Sequence, residues 1–284
     1  ILGAVVGYLA TNLLALGAGF AGNRTVVFSE LPFMERCKAA KEAGFDAVEV
    51  LFPYDCPAQD MRDQLVWNAQ EFVLMHCPPP NFTGGQRGFA AQPGLQDRFR
   101  RDFDRVLRYA GVLRPRHIHI MAGEAEGTEA RAVLVENLRW AVARAPKQGL
   151  TIEPLNRTDF PGYFLADFDL AAELLDEVAA PNLGLQFDTY HAQMITGDAM
   201  AAWDAHRSRV RHVQIGGFPG RHEPDGGEID FPAFFARLDA DGYRGFVSAG
   251  YRPAGPMADG LGWLAQAQPP APQGEPGRSI SKVE

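Results

Sequence analysis

The sequence is short of the residues that would mark several functional classes. Its three cysteines, Cys37, Cys56 and Cys77, are odd in number and have no CxxC spacing, which supports neither a disulfide framework nor a thiolate zinc site. A reducing compartment is the default, and a cytoplasmic location is expected. Basic residues are outnumbered, with 27 Lys and Arg against 35 Asp and Glu and a formal charge of −8. A sequence-independent nucleic-acid binder draws its affinity from a basic face, so no nucleic-acid partner is expected. No GxGxxG follows a β-rich run and no GxxxxGK[ST] occurs, so no nucleotide cofactor is expected. Charge is missing altogether from Ile1 to Gly19. That run is nearly long enough to span a membrane, but it lacks the basic n-region of a signal peptide and its glycines weaken a helix. Of an upstream apolar remnant, an anchor and a packed helix, the remnant is preferred. No membrane role is expected, and the run should be dispensable for folding.

What is present is a chain of 284 residues, 46% hydrophobic and 22% charged, enough for one large α/β core. From Phe20 short β-rich runs alternate with longer helical stretches. Strands are expected at 20–24, 46–50, 71–76, 116–121, up to Glu153, 183–187, 210–215 and 245–249. Helices are expected between them, at 31–43, 57–70, 95–113, 130–145, 165–178, 199–206 and 231–238, with a short one near 261–265. Eight strands with interleaved helices favour a closed (β/α)8 TIM barrel over an open doubly wound sheet. The barrel should occupy 20–266, after the apolar segment 1–19 and before a Pro-, Gly- and Ser-rich tail, 267–284, expected to be disordered. The loop from Cys77 to Gly94 is long and proline-rich, and reads as a lid.

Glu153 ends an apolar run, Leu150-Thr-Ile-Glu153, just before Pro154, which cannot donate to a sheet ladder. In an α/β barrel the carboxyl ends of the strands form the reaction face. A surface glutamate at a strand end is the bland alternative. Strand six ends in Asp188, with His191 three residues on, and strand seven carries His212 and Gln214, which alternation puts on one face. Oxygen donors of this kind suit a divalent metal, Mg²⁺ or Mn²⁺, better than structural zinc; polar capping of a barrel rim is the competing account.

Several segments in combination resemble the hydroxypyruvate isomerase family, among them Ala43-Gly-Phe-Asp-Ala-Val-Glu49, His119-Ile-Met-Ala-Gly123, Ile152-Glu-Pro-Leu-Asn156, Asp188-Thr-Tyr-His191, His212-Val-Gln214, Pro219-Gly-Arg-His-Glu-Pro224 and Gly260-Leu-Gly-Trp263. The resemblance runs from about Phe20 to Leu264. It implies a xylose-isomerase-like TIM barrel that interconverts hydroxypyruvate and tartronate semialdehyde through an enediol, without a redox cofactor. It implies that Glu153 is acid/base and metal ligand, that Asp188 and Gln214 are metal ligands, and that His191 and Arg221 hold the substrate, a small hydroxy-oxo acid. A homo-oligomer is compatible with this reading. The chain departs from the pattern at Gly250, where the resemblance implies a second catalytic glutamate, and at His76, where it implies Asn. Two alternatives follow: an impaired barrel that binds a sugar acid, or a related ketose epimerase or isomerase. Glu223, in the loop after strand seven, is the candidate replacement for the missing carboxylate.

Overall fold

A computed structural model describes residues 19–23, 28, 30–77 and 88–267. The apolar run up to residue 18, residues 78–87 of the loop expected to form a lid, and the tail from 268 lie outside the described residues.

The described strands are β1 (Gly19–Asn23), β2 (Ala47–Glu49), β3 (Glu71–Phe72), β4 (Leu74–His76), β5 (His117–His119), β6 (Gly149–Ile152), β7 (Leu183–Asp188), β8 (Val210–Ile215) and β9 (Phe246–Ala249). All neighbours pair in parallel, in the order β3-β2-β1-β9-β8-β7-β6-β5-β4. The two ends of that order are one stretch of chain, interrupted at Val73. The Val73 N–H donates to the Val48 carbonyl at 2.8 Å, and its own carbonyl accepts from the His117 N–H at 2.8 Å. The ring therefore closes through Val73, and the expected third strand serves both edges.

Eight described α-helices lie between the strands, α1 (Arg36–Glu42), α2 (Ala58–Trp67), α3 (Gln96–Leu113), α4 (Gly127–Arg144), α5 (Phe168–Val178), α6 (Thr189–Thr196), α7 (Ala199–His206) and α8 (Phe231–Ala240), and a ninth, α9 (Gly262–Ala267), follows β9. The first starts five residues later than its proline predicts. In α3, Phe99, Phe103, Val106, Ala110 and Leu113 are buried at helical spacing and seat the helix on the sheet. Asp167 starts α5 by accepting from the Leu170 N–H at 2.8 Å. None of the described helices is long and apolar enough to cross a membrane.

Successive strand residues point to opposite faces. Val48, Ile118, Leu150, Leu185 and Val213 are buried in the main apolar core. Their alternates face the barrel axis. Low in the barrel, Ala21, Ala47 and Leu74 form a small apolar layer. Near the carboxyl ends the inward positions turn polar, and Asn23, Glu49, His76, His119, Gln186, Asp188, His212 and Gln214 are all at most 5% exposed.

Candidate active site

Glu153 is the residue directly after β6 and is 3% exposed. Its Oε2 accepts from Gln186 Nε2 at 2.9 Å, and the same amide donates to Gln214 Oε1 at 3.2 Å. Thr151 Oγ1 donates to Gln186 Oε1 at 3.3 Å, which sets the amide's orientation. Burial pushes the Glu153 carboxyl well above the usual carboxylate range, the nearby Asp188 charge adds to this, and Arg221 opposes it.

Asp188 ends β7 and caps α6, its Oδ1 accepting from the N–H groups of Tyr190 at 2.9 Å and His191 at 3.2 Å. Its Oδ2 accepts from Arg221 Nη2. Burial raises its pKa, against the Arg221 charge and the two backbone donors. His191 Nδ1 faces the Asn156 N–H at 3.1 Å, while Nε2 lies 2.9 Å from Arg221 Nη1. A neutral imidazole accepts at only one nitrogen, so one of these two contacts is not a hydrogen bond.

Arg221 reaches this position from a loop in which Gly220 (φ 89°) and Arg221 itself (φ 57°) are left-handed. A non-glycine residue held there carries local strain, and the turn sends its guanidinium back over β9. There Nε donates to the Gly250 carbonyl at 2.8 Å. Gly250 is the residue after β9, and an added Cβ would sit 3.4 Å from Gln214 Cβ and 3.7 Å from Arg221 Nη2.

The sequence reading left Glu49 without a role, although it is completely buried. It accepts from Asn23 Nδ2 at 2.5 Å and Gln214 Nε2 at 2.5 Å, and meets His212 Nε2 at 2.8 Å. Glu49 thereby sets which way Gln214 points its oxygen. His119 Nδ1 lies 3.5 Å from Glu153 Oε2 and 3.3 Å from His76 Nε2. Burial, helped by His212, pulls the His119 pKa down to about 3, so the ring meets Glu153 as a neutral group.

A cavity of about 290 Å³ opens over these residues, and its wall includes Glu153, His191, Gln214, Arg221, Gly250 and Arg252. Asp188 and Glu49 are not part of that wall. Glu223 is absent from it too: both its carboxylate oxygens accept from the Ala254 N–H, at 3.1 and 3.2 Å. The idea that Glu223 replaces the missing carboxylate is therefore corrected, because this side chain anchors the loop after β9.

Glu153, Asp188 and His191 each offer a ligand atom within 4.8 Å of the others, and all three are buried. Two desolvated carboxyl groups and an imidazole are donors suited to a divalent cation; His191 joins Glu153 and Asp188 in this cluster, and the oxygen of Gln214, the third ligand expected from the resemblance, accepts from the Gln186 amide at 3.2 Å. Arg221 already bridges two of these donors.

Residues 37–267 match the family model described as xylose isomerase-like TIM barrel. The chain belongs to the xylose isomerase-like TIM-barrel family. It is 41% identical to a 2-oxo-tetronate isomerase of Cupriavidus necator over 86% of this chain and 96% of that one. It is 33% identical to a hydroxypyruvate isomerase of Escherichia coli, over 86% and 97%. Among solved structures, one named AP endonuclease, family 2, from Brucella melitensis superposes with a TM-score of 0.85 at 39% identity, covering 88% of this chain and 99% of that one. Membership and the isomerase names of these relatives mark the chain as an isomerase-like enzyme.

Proposed function

We propose that the protein moves the carbonyl of a short hydroxy-oxo acid to the neighbouring carbon, with hydroxypyruvate and tartronate semialdehyde as the three-carbon case. The observation that carries the reading is Glu153, a buried carboxyl in the cavity wall whose raised pKa brings it toward the pH at which proton transfer by a side chain is most efficient. Its carboxylate takes the proton from the hydroxyl-bearing carbon, the electron pair moves into an enediol, and the proton returns to the former carbonyl carbon. The hydroxyl proton passes between the two oxygens, so the sum is an isomerisation. With Gly250 at the end of β9, Glu153 serves as base and then as acid on one face. The neutral His119 ring and the Gln186 amide orient it, and His191 and Arg221 lie at the cavity wall facing the substrate's oxygens.

Mg²⁺ or Mn²⁺ is the proposed metal, with Glu153, Asp188 and His191 holding it and the Gln214 amide oxygen beside them. When bound, it would draw electron density from the substrate's adjacent oxygens and stabilise the enediolate charge. No disulfide joins the cysteines, in keeping with a cytoplasmic setting.

The test is to incubate the full chain with Mg²⁺ or Mn²⁺ and either hydroxypyruvate or 2-oxo-tetronate in D₂O. The expected result is interconversion with part of the transferred hydrogen retained, as a single shielded base requires. Folded protein that moves the carbonyl in neither acid would defeat the proposal. Gly250 favours one second reading, a barrel that binds such acids with little turnover; the same assay separates the two when acid binding is measured alongside it.

A further inference from the structure

Two arginines line the cavity, Arg221 and Arg252, and they stand in opposite situations. Arg221 is spent on the protein. Its Nε donates to the Gly250 carbonyl at 2.8 Å, Nη2 donates to Asp188, and Nη1 abuts His191 Nε2 at 2.9 Å. Its charge is matched by a buried carboxylate, and it spans the face that a bidentate partner would need. Arg252 is the reverse case. Its backbone is held, because its N–H donates to the Arg221 carbonyl at 2.8 Å and its carbonyl accepts from His222 Nδ1 at 3.0 Å. Its side chain is exposed, and among the described residues no carboxylate pairs with it. The Glu223 carboxylate, which reaches the same loop, is engaged by the Ala254 N–H.

We propose that Arg252 is the residue that anchors the substrate's carboxylate at the mouth of the cavity, while Arg221 acts from within to hold Asp188 and the end of β9. The inference rests on the acid-isomerase reading above, since it assumes that the ligand is a small acid. A guanidinium fork with a fixed backbone and an uncommitted side chain can take a carboxylate through two parallel hydrogen bonds. Anchoring there leaves the substrate's other carbons to extend inward toward Glu153. Arg252 touches the acid group rather than the reacting carbons, so it governs which substrates bind and adds little to the chemical step.

The experiment compares the parent with Arg252→Gln and Arg252→Lys, Mg²⁺ being present throughout. Loss of one charge-assisted contact should raise KM for hydroxypyruvate about tenfold, with a far smaller change in kcat. Arg252→Lys should recover part of the loss. Titration calorimetry with tartronate, a non-isomerising hydroxy diacid, should show the same order of affinities, and the thermal midpoint should not move because the side chain is exposed. KM and tartronate affinity left unchanged by Arg252→Gln would overturn the proposal. So would a loss matched by a fall in thermal midpoint. If the parent turned over neither hydroxypyruvate nor 2-oxo-tetronate, the isomerase reading alone would fail, since calorimetry would still report whether Arg252 binds the acid.

Discussion

Two buried glutamates, Glu49 and Glu153, lie within the same barrel mouth and have opposite surroundings. Glu49 has no exposure and meets three side chains, Asn23, Gln214 and His212. Glu153 accepts from one amide, touches a neutral imidazole at 3.5 Å, lies near a second buried carboxyl and borders the cavity. Full satisfaction makes a buried carboxylate a structural part; partial satisfaction beside a cavity leaves it able to exchange a proton.

The comparison breaks first at Glu153. The Glu153→Gln variant should lose about 10²- to 10⁴-fold in kcat while remaining folded, as steady-state assays and circular dichroism would show. The same variant tests the electrostatics. In the folded chain Glu153 holds its proton more tightly than in the unfolded one, so its contribution favours folding at low pH and turns unfavourable as pH rises toward the raised native value. Urea denaturation between about pH 5 and pH 8 should therefore show the variant gaining on the parent as pH increases. A constant difference would mean that Glu153 titrates normally.

Glu49 should respond in stability. Glu49→Ala strands three inward-facing partners and should cost about 3 kcal/mol in urea unfolding. Equal stability, with activity lost, would make Glu49 a reacting group and erase the distinction. The smallest effect concerns the gap near Glu153. Gly250 has room for a Cβ and its backbone is not left-handed, so Gly250→Glu should fold. By drawing Arg221 off Asp188 and adding an oxygen donor, it should tighten Mn²⁺ binding about tenfold, read by paramagnetic resonance. Unchanged affinity would show that Arg221 does not compete for those donors.

Much of the barrel was legible because the outward strand residues pack on helices and read as apolar runs, as with Leu150 and Ile152 ahead of Glu153. Strand ends pointed to Glu153 and Asp188, alternation put Gln214 with them, and the resemblance to hydroxypyruvate isomerases added roles for His191 and Arg221. Helix α6 escaped notice, since Asp188 is at once a rim carboxylate and the residue that starts the helix through its side chain. Glu49 escaped for another reason: two of its partners, His212 and Gln214, lie 163 and 165 residues downstream. Neither spacing nor periodicity carries a contact over that distance. The commitment of Arg221 was hidden likewise, because it depends on the left-handed turn at Gly220 and Arg221.

The pairing of β1 with β9, from Gly19 opposite Phe246 to Gly22 opposite Ala249, has a consequence for biosynthesis. A growing chain makes β1 more than two hundred residues before its partner. Until β9 leaves the ribosome, β1 and β8 present unpaired edges, and unpaired parallel edges invite association with other chains. Asn23 sits on β1 and Gln214 on β8, both bonded to Glu49. This end of the barrel therefore takes its final shape only once β9 has emerged, and the nascent barrel depends longest on protection just before that point.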